Sequence, residues 1–275
     1  MDVFAELTLA GLANGMIYAL IAIGFIIIYK ATDVINFAQG PLLLLGAYLG
    51  YTFLSLPIPT WLGLGLALGV AALVGVAIAR FALRPLIGEP AISMIMATVA
   101  ISSILRALIQ GIWGVRPRNF PLNVDRPVVI GVAAVSLVAL GWFFRKSREG
   151  LAMRAVADDQ QAAMSMGVSL PRTLSIAWAL ASAAAALGGI LLAGLVGVTQ
   201  DITAIGLRVF PVVILGGLDS IVGAVIGGAL IGLVEAYAAG YIGMGVQTLV
   251  PYALLLVVLM VRPYGLFGKR RMERV

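Results

Sequence analysis

Cysteine and histidine are both absent from this chain. Without cysteine there is no disulfide framework, no thiol chemistry and no Cys-based metal site. Without histidine the commonest general base, the usual proton shuttle and the commonest metal ligand are lost together, which leaves enzymatic readings poorly supplied. Charge is scarce too, at 11% of 275 residues, whereas 62% are hydrophobic; an ordinary soluble chain carries about 25% charged residues. The apolar residues come in runs of about 20, the helix length that matches a hydrocarbon core ~30 Å thick. The composition therefore describes an integral membrane protein, an all-α helical bundle that crosses the bilayer many times. The excess of 18 Lys+Arg over 12 Asp+Glu fits the positive-inside bias of membrane chains and gives no reason to expect nucleic acid.

Residues 1–5 have no basic leader, and the apolar run behind them is too long for a signal peptide, so a retained first helix is expected over residues 6–29. Gly11, Gly15 and Ala19 recur every fourth residue, a small-residue stripe suited to close helix packing, with Asn14 and Tyr18 beside it as candidates to line a cavity. A polar hinge at residues 30–33 then leads into INFAQGP. Asn36 and Gln39 are unfavourable in hydrocarbon unless paired, Gly40 loosens the backbone and Pro41 lacks a donor. Two readings stand here: an interfacial cap for the second helix, or a substrate-facing break in which Asn36, Phe37, Gln39 and Gly40 face protein or a cavity.

Further spans are expected over residues 61–79, 91–112, 128–144, 174–196, 221–239 and 246–261. Arg106, near the end of one of them, reads as an anchor that snorkels to the interface. Residues 206–218 reach only about 20 Å as a helix and are too short to cross, which places Gly217, Asp219 and Ser220 within or near membrane depth. The total is about eight to nine transmembrane elements, one of them short or broken, in a single domain over residues 1–275. Asn36 with Gly40, and Asp219 with Gly223, repeat one spacing at the foot of a small-residue helix; this is either an internal repeat or a coincidence of composition. Thirteen of the eighteen Lys and Arg fall on one side of this arrangement, four (Arg116, Arg118, Arg126 and Arg208) on the other, and Arg106 within a span. That bias puts the C-terminus and residues 145–172 in the cytoplasm and the N-terminus outside.

Residues 145–172 are the longest polar interval in the chain. Residues 150–166 predict a short amphipathic helix with Leu151, Ala155 and Met164 on its apolar stripe; Gly167 supplies a stop, and Pro171 prevents continuation before the next span. A solvated loop is the plain alternative. Against it, the run from Ala152 and Met153 to Ala163, Met164 and Met166 is more apolar than a free surface helix should be, which favours a docking partner.

Gln161, Ala162, Ala163 and Gly167, followed by Leu170 and Pro171, resemble the cytoplasmic coupling segment of ABC-importer permeases, with Gln in place of the usual Glu and a shorter interval before the Leu-Pro. REGLAMRAVADDQQAAMSMGV, GLANGMIYALIAIGF, INFAQGPLLLLGAY, VILGGLDSIVGAVIGG and RPYGLFG, in order, are similar to the branched-chain amino acid (LivH/LivM-type) permeases. The resemblance implies an inner-membrane importer subunit for a small polar solute, most naturally an amino acid. Its implied partners are a second homologous permease or a second copy of itself, two ABC ATPase subunits, an extracytoplasmic solute-binding protein and membrane lipid. It also implies that Glu149, Gly150, Met153, Arg154, Ala155, Asp158, Asp159, Ala162, Ala163 and Gly167 couple to the ATPase. The chain has no Gly-x-x-x-x-Gly-Lys-Ser/Thr sequence, so ATP and Mg are expected on the partner and no cofactor on this chain.

The rival class is a self-contained secondary transporter or channel, for a solute such as urea or an amide. It would draw on acidic residues deep in the spans. Only Asp219 and Glu235 qualify, and Glu235 is expected close enough to a helix end to reach an interface. An intramembrane enzyme would need a Ser-His, Asp-Asp or metal constellation that the sequence does not contain.

Overall fold

A 30-residue helix, α1 (Val3–Thr32), forms the axis around which the other helices gather. It has no proline, and from Ile17 to Ile28 every side chain is buried. It ends where Asp33 takes φ 58°, a left-handed conformation that a short polar side chain tolerates. The computed structural model describes residues 3–262 and 265–268. The Pro263–Tyr264 part of the RPYGLFG block, and the basic tail used in the orientation count, lie outside the described residues.

In chain order α1 is followed by α2 (Gln39–Leu54), α3 (Thr60–Ala77), α4 (Ala91–Trp113), α5 (Arg126–Lys146), α6 (Arg148–Asp158), α7 (Gln160–Ser165), α8 (Leu170–Val196), α9 (Ile202–Arg208), α10 (Phe210–Gly216), α11 (Ile221–Tyr241), α12 (Met244–Gln247) and α13 (Val250–Val261). Among the described residues there is no strand, only an isolated bridge between Arg118 and Val198. Six helices are long and apolar enough to cross a membrane: α1, α3 with its π and 3₁₀ extension to Leu86, α4, α5, α8 and α11. The remaining apolar elements of the expected eight to nine are shorter: α2 at 16 residues, 202–216 and 245–261.

Small residues set the spacing of the centre. Gly46 of α2 lies against Ala186 of α8, Gly189 of α8 against Leu43, and Gly75 of α3 against Trp178 and Ser182. An alanine–glycine helix such as α8 thus contacts two neighbours, α2 and α3, at backbone distance, where dispersion and not hydrophobic transfer holds helices together in lipid. The outer faces of α3, α4, α5 and α13 expose Leu73, Ile104, Val138 and Met260, as lipid-facing surfaces do. The proline-rich loop after α4 is ordered: Arg118 and Val198 exchange backbone bonds of 3.0 and 2.9 Å, and the Arg118 guanidinium donates to Trp113 O at 2.8 Å and lies over the Tyr51 ring.

Three sequence expectations change. Residues 150–166 are two helices, because Asp159 leaves the helical region (φ −156°, ψ 108°) and its carboxylate accepts from Ala162 N at 2.9 Å, starting α7 afresh. Pro171 lies in the first turn of α8, where its missing N–H costs no hydrogen bond; it therefore opens the span instead of holding it off. Residues 206–218 are not one short helix but parts of two, joined at Val209 ahead of Pro211.

Candidate functional site

The seam between α1 and α11 is antiparallel. Gly11 lies against Gly232 and Leu233, and Gly15 against Gly228 and Ala229; a Cβ on Gly15 would sit 2.6 Å from Gly228 O. This close approach brings two polar side chains together. The Tyr18 hydroxyl donates to Glu235 Oε2 at 2.7 Å. Glu235 is 2% exposed, so it does not reach an interface as its sequence position suggested: it points along α11 toward the helix N-terminus, into the seam. Arg208, at the end of α9, is half-buried.

The break before α2 is also internal. Asn36 Nδ2 donates to Gln39 Oε1 at 3.1 Å, Asn36 Oδ1 accepts from Ala38 N at 2.9 Å, and Gln39 Nε2 donates to Ile21 O at 3.4 Å. Both amides are buried. Since Ile21 precedes the end of α1 by eleven residues, ~16 Å of helix at 1.5 Å per residue, α2 starts deep in the bundle. Gly40 packs on Thr203 and Gly206 of α9. Phe37, half-buried, donates its backbone N–H to Thr98 Oγ1 at 3.3 Å, and its ring meets Phe210, which also meets Phe25.

The second break, between α10 and α11, has the same level. Each residue up α1 matches one down α11, so Ser220 falls near Ile23. Gly217 turns at φ 97°, and the Ser220 hydroxyl accepts from Gly223 N at 2.9 Å. Leu266 N and Phe267 N donate to Leu215 O and Gly216 O, satisfying carbonyls at the end of α10. Asp219 is half-buried beside this turn. Two helix starts, α2 and α11, thus share one depth along α1, the arrangement transporters use around a central pathway.

At the far end, α6 and α7 are fastened to the bundle. Ser147 caps Gly150 N at 2.8 Å, Gly150 lies on the Phe143 and Phe144 carbonyls, and Glu149 pairs with Arg172 of α8 at 2.5 Å. Val156, Ala163 and Leu170 form a small separate core. Gly167, at φ 88°, closes α7: Val168 N donates to Ala163 O and Gly167 N to Met164 O, the paired bonds of a Schellman stop.

The chain matches the family model described as branched-chain amino acid transport system / permease component over residues 7–259. It belongs to this family. The permease is 31% identical to the high-affinity branched-chain amino acid transport system permease protein LivH of Escherichia coli (strain K12), covering 99% of this chain and 98% of that one. It is 27% identical to the corresponding BraD protein of Pseudomonas aeruginosa, over 96% of each. A solved structure, PsaBC from Streptococcus pneumoniae in complex with Fab, superposes with a TM-score of 0.53 over 97% of this chain and 94% of that one. At 13% identity the likeness concerns the fold alone.

The permease gathers the sequence candidates unevenly. Asn14 and Tyr18 share the α1 face that meets α11, and Asn36, Phe37, Gln39 and Gly40 cluster at the α2 break against α9 and α10. Gly217, Asp219 and Ser220 form the other break. In the α6–α7 segment, Gly150, Met153 and Ala163 are buried against the permease itself, whereas Asp158, Asp159, Ala162 and Gly167 are exposed and Glu149, Arg154 and Ala155 are half-buried.

Proposed function

We propose that this permease carries branched-chain amino acids inward across the cytoplasmic membrane as one subunit of an ABC importer, driven by ATP and Mg on separate ATPase subunits that dock on α6 and α7. The carrying observation is the form of that segment. It is fastened at Ser147, at Gly150 and through Glu149 to Arg172, yet Leu151, Met164 and Met166 are 60%, 44% and 86% exposed. A solvated element anchored this firmly gains nothing from an apolar outer face; a coupling helix seated in a partner groove does. The Glu149–Arg172 pair links the segment to α8, which contacts α1, α2 and α3, so a push on α6 has a rigid route into the bundle.

The reading places α6, α7 and the C-terminus in the cytoplasm and the N-terminus outside. A second permease subunit completes the pathway, and an extracytoplasmic binding protein delivers the solute. The full-length likeness to LivH and BraD supports amino acids over urea or amides. The test is leucine uptake into proteoliposomes containing the complete assembly. Uptake is expected only with ATP and the loaded binding protein; uptake by the permease alone on an ion gradient would refute the reading. Met164→Asp with Met166→Asp is expected to abolish co-purification of the ATPase while the variant elutes as the folded wild type does.

A further inference from the structure

At the end of the bundle that the reading above places outside, two loops close over α2. One is the proline-rich loop after α4, and it is held fast. Trp113 Nε1 donates to Thr52 Oγ1 at 2.8 Å, Arg118 Nη2 donates to Trp113 O at 2.8 Å, the Trp113 ring stacks on Tyr48 at 5.4 Å, and Phe120 is buried against Gly50. The other is the connection from α8 to α9, residues 197–201, and its hold is slighter. Through Val198 its backbone exchanges two bonds with Arg118, at 3.0 and 2.9 Å. Beyond them Gln200 Nε2 divides itself between Tyr48 OH at 3.1 Å and Gly114 O at 3.4 Å, the long end of the hydrogen-bond range. Arg118 Nε is buried without a partner among the described residues, so the closed contact leaves a donor unmet.

The connection is also built to move. Gly197 turns it at φ 78°, and a Cβ there would meet only Arg118 O, at 3.2 Å. Beyond Gln200, α9 rests on α2 where Thr203 and Gly206 lie against Gly40, while its opposite face, with Asp201, Ala204 and Leu207, is exposed. We infer that residues 197–201 and α9 form the moving jaw of an outer gate, that the loop after α4 is its fixed jaw, and that the Arg118–Val198 bridge with Gln200 is the latch holding it shut in this structure. Gly197 is the hinge. One swing has two effects: it uncovers Tyr48 and Arg118 at the mouth, and it draws Thr203 and Gly206 off Gly40, so the mouth and the α2 break open together. The inference rests on the importer reading above, in which the solute enters from this end.

The competing explanation is a permanent fastening that never parts. The chain has no cysteine, so Arg118→Cys with Val198→Cys introduces its sole pair of thiols. Residues that exchange both backbone bonds have Cα atoms about 5.5 Å apart, inside the disulfide range of about 4.4–6.8 Å. In the complete assembly in proteoliposomes, oxidising this double variant is expected to lower leucine uptake by about tenfold or more, and reducing it to restore uptake, because entry waits on the gate. Loss of free thiol in the permease reports that the crosslink has formed, and each single-cysteine variant should transport alike under both conditions. Unchanged uptake by fully crosslinked protein would overturn the gate. Should the double variant fail to assemble, Val198→Cys decides alone. Val198 is fully buried, and a thiol there is expected to react with a water-soluble maleimide about fivefold or more faster once the loaded binding protein and ATP are added, as local opening requires; one slow rate in every state would overturn the gate as well. A wild-type assembly that imports no leucine refutes the importer reading itself, whereas wild-type import with an indifferent crosslink refutes only the gate.

Discussion

Gly15→Ala probes the seam on which the buried acid depends. The added Cβ would lie 2.6 Å from Gly228 O and 2.9 Å from the Ala229 Cα, both backbone atoms that cannot swing aside, and ordinary contact begins near 3.4 Å. Widening the closest approach from 2.6 to about 3.4 Å moves the helices apart by about 0.8 Å. One turn away, the Tyr18–Glu235 bond of 2.7 Å would lengthen toward about 3.5 Å, where little of a hydrogen bond is left. Overpacking costs about 1–3 kcal/mol and the weakened bond about 0.5–1.5 kcal/mol, so a total of about 1.5–4.5 kcal/mol is expected. Gly69→Ala, on the lipid-facing side of α3, is the matched control: no heavy atom lies within 4 Å of its Cβ, and it should gain a few tenths to about 1 kcal/mol of helix propensity. Thermal unfolding of both variants in lipid nanodiscs makes the comparison. A Gly15→Ala protein that unfolds at or above the temperature of Gly69→Ala would refute the account of the seam.

Gln39→Leu should destabilise the permease by about 1–3 kcal/mol, since it strips the Asn36 amide of its acceptor in a buried site; an unfolding midpoint equal to wild type would contradict the pairing. Gly167→Ala, forced into φ 88°, is expected to cost about 1 kcal/mol and to speed amide exchange at Gly167 and Val168, whose N–H groups close α7; unaltered exchange would count against the Schellman stop. Ala163→Arg should lower stability before it alters docking, because Ala163 is buried with Val156 and Leu170. If that variant folds normally, the small core is misassigned.

Much of the bundle was legible in the chain because lipid imposes a length and a composition on every span. The helices over 61–79, 91–112 and 128–144 match the bounds of α3, α4 and α5 to within two residues. They are peripheral, and their bounds follow from local rules of hydropathy, proline and charge. The awkward INFAQGP segment was recognisable for the same reason: two amides and a proline conflict with a regular membrane helix wherever they occur. What that conflict meant was not legible. A sequence shows that Asn36 and Gln39 need partners, not that they find them in each other and in Ile21 O.

The central site is of this second kind. Composition, span lengths and the family motifs determine by themselves that this is a polytopic helical permease with a polar segment at residues 145–172. Only the tertiary structure decides that α2 and α11 start at one depth, that residues 150–166 divide at Asp159, and that Glu235 turns inward to Tyr18. Those contacts join positions as far as 217 residues apart. The periodicity of one helix records which of its faces is small or polar, but the partner of that face is chosen by how the helices cross, and the crossing is set by where glycines let two backbones meet.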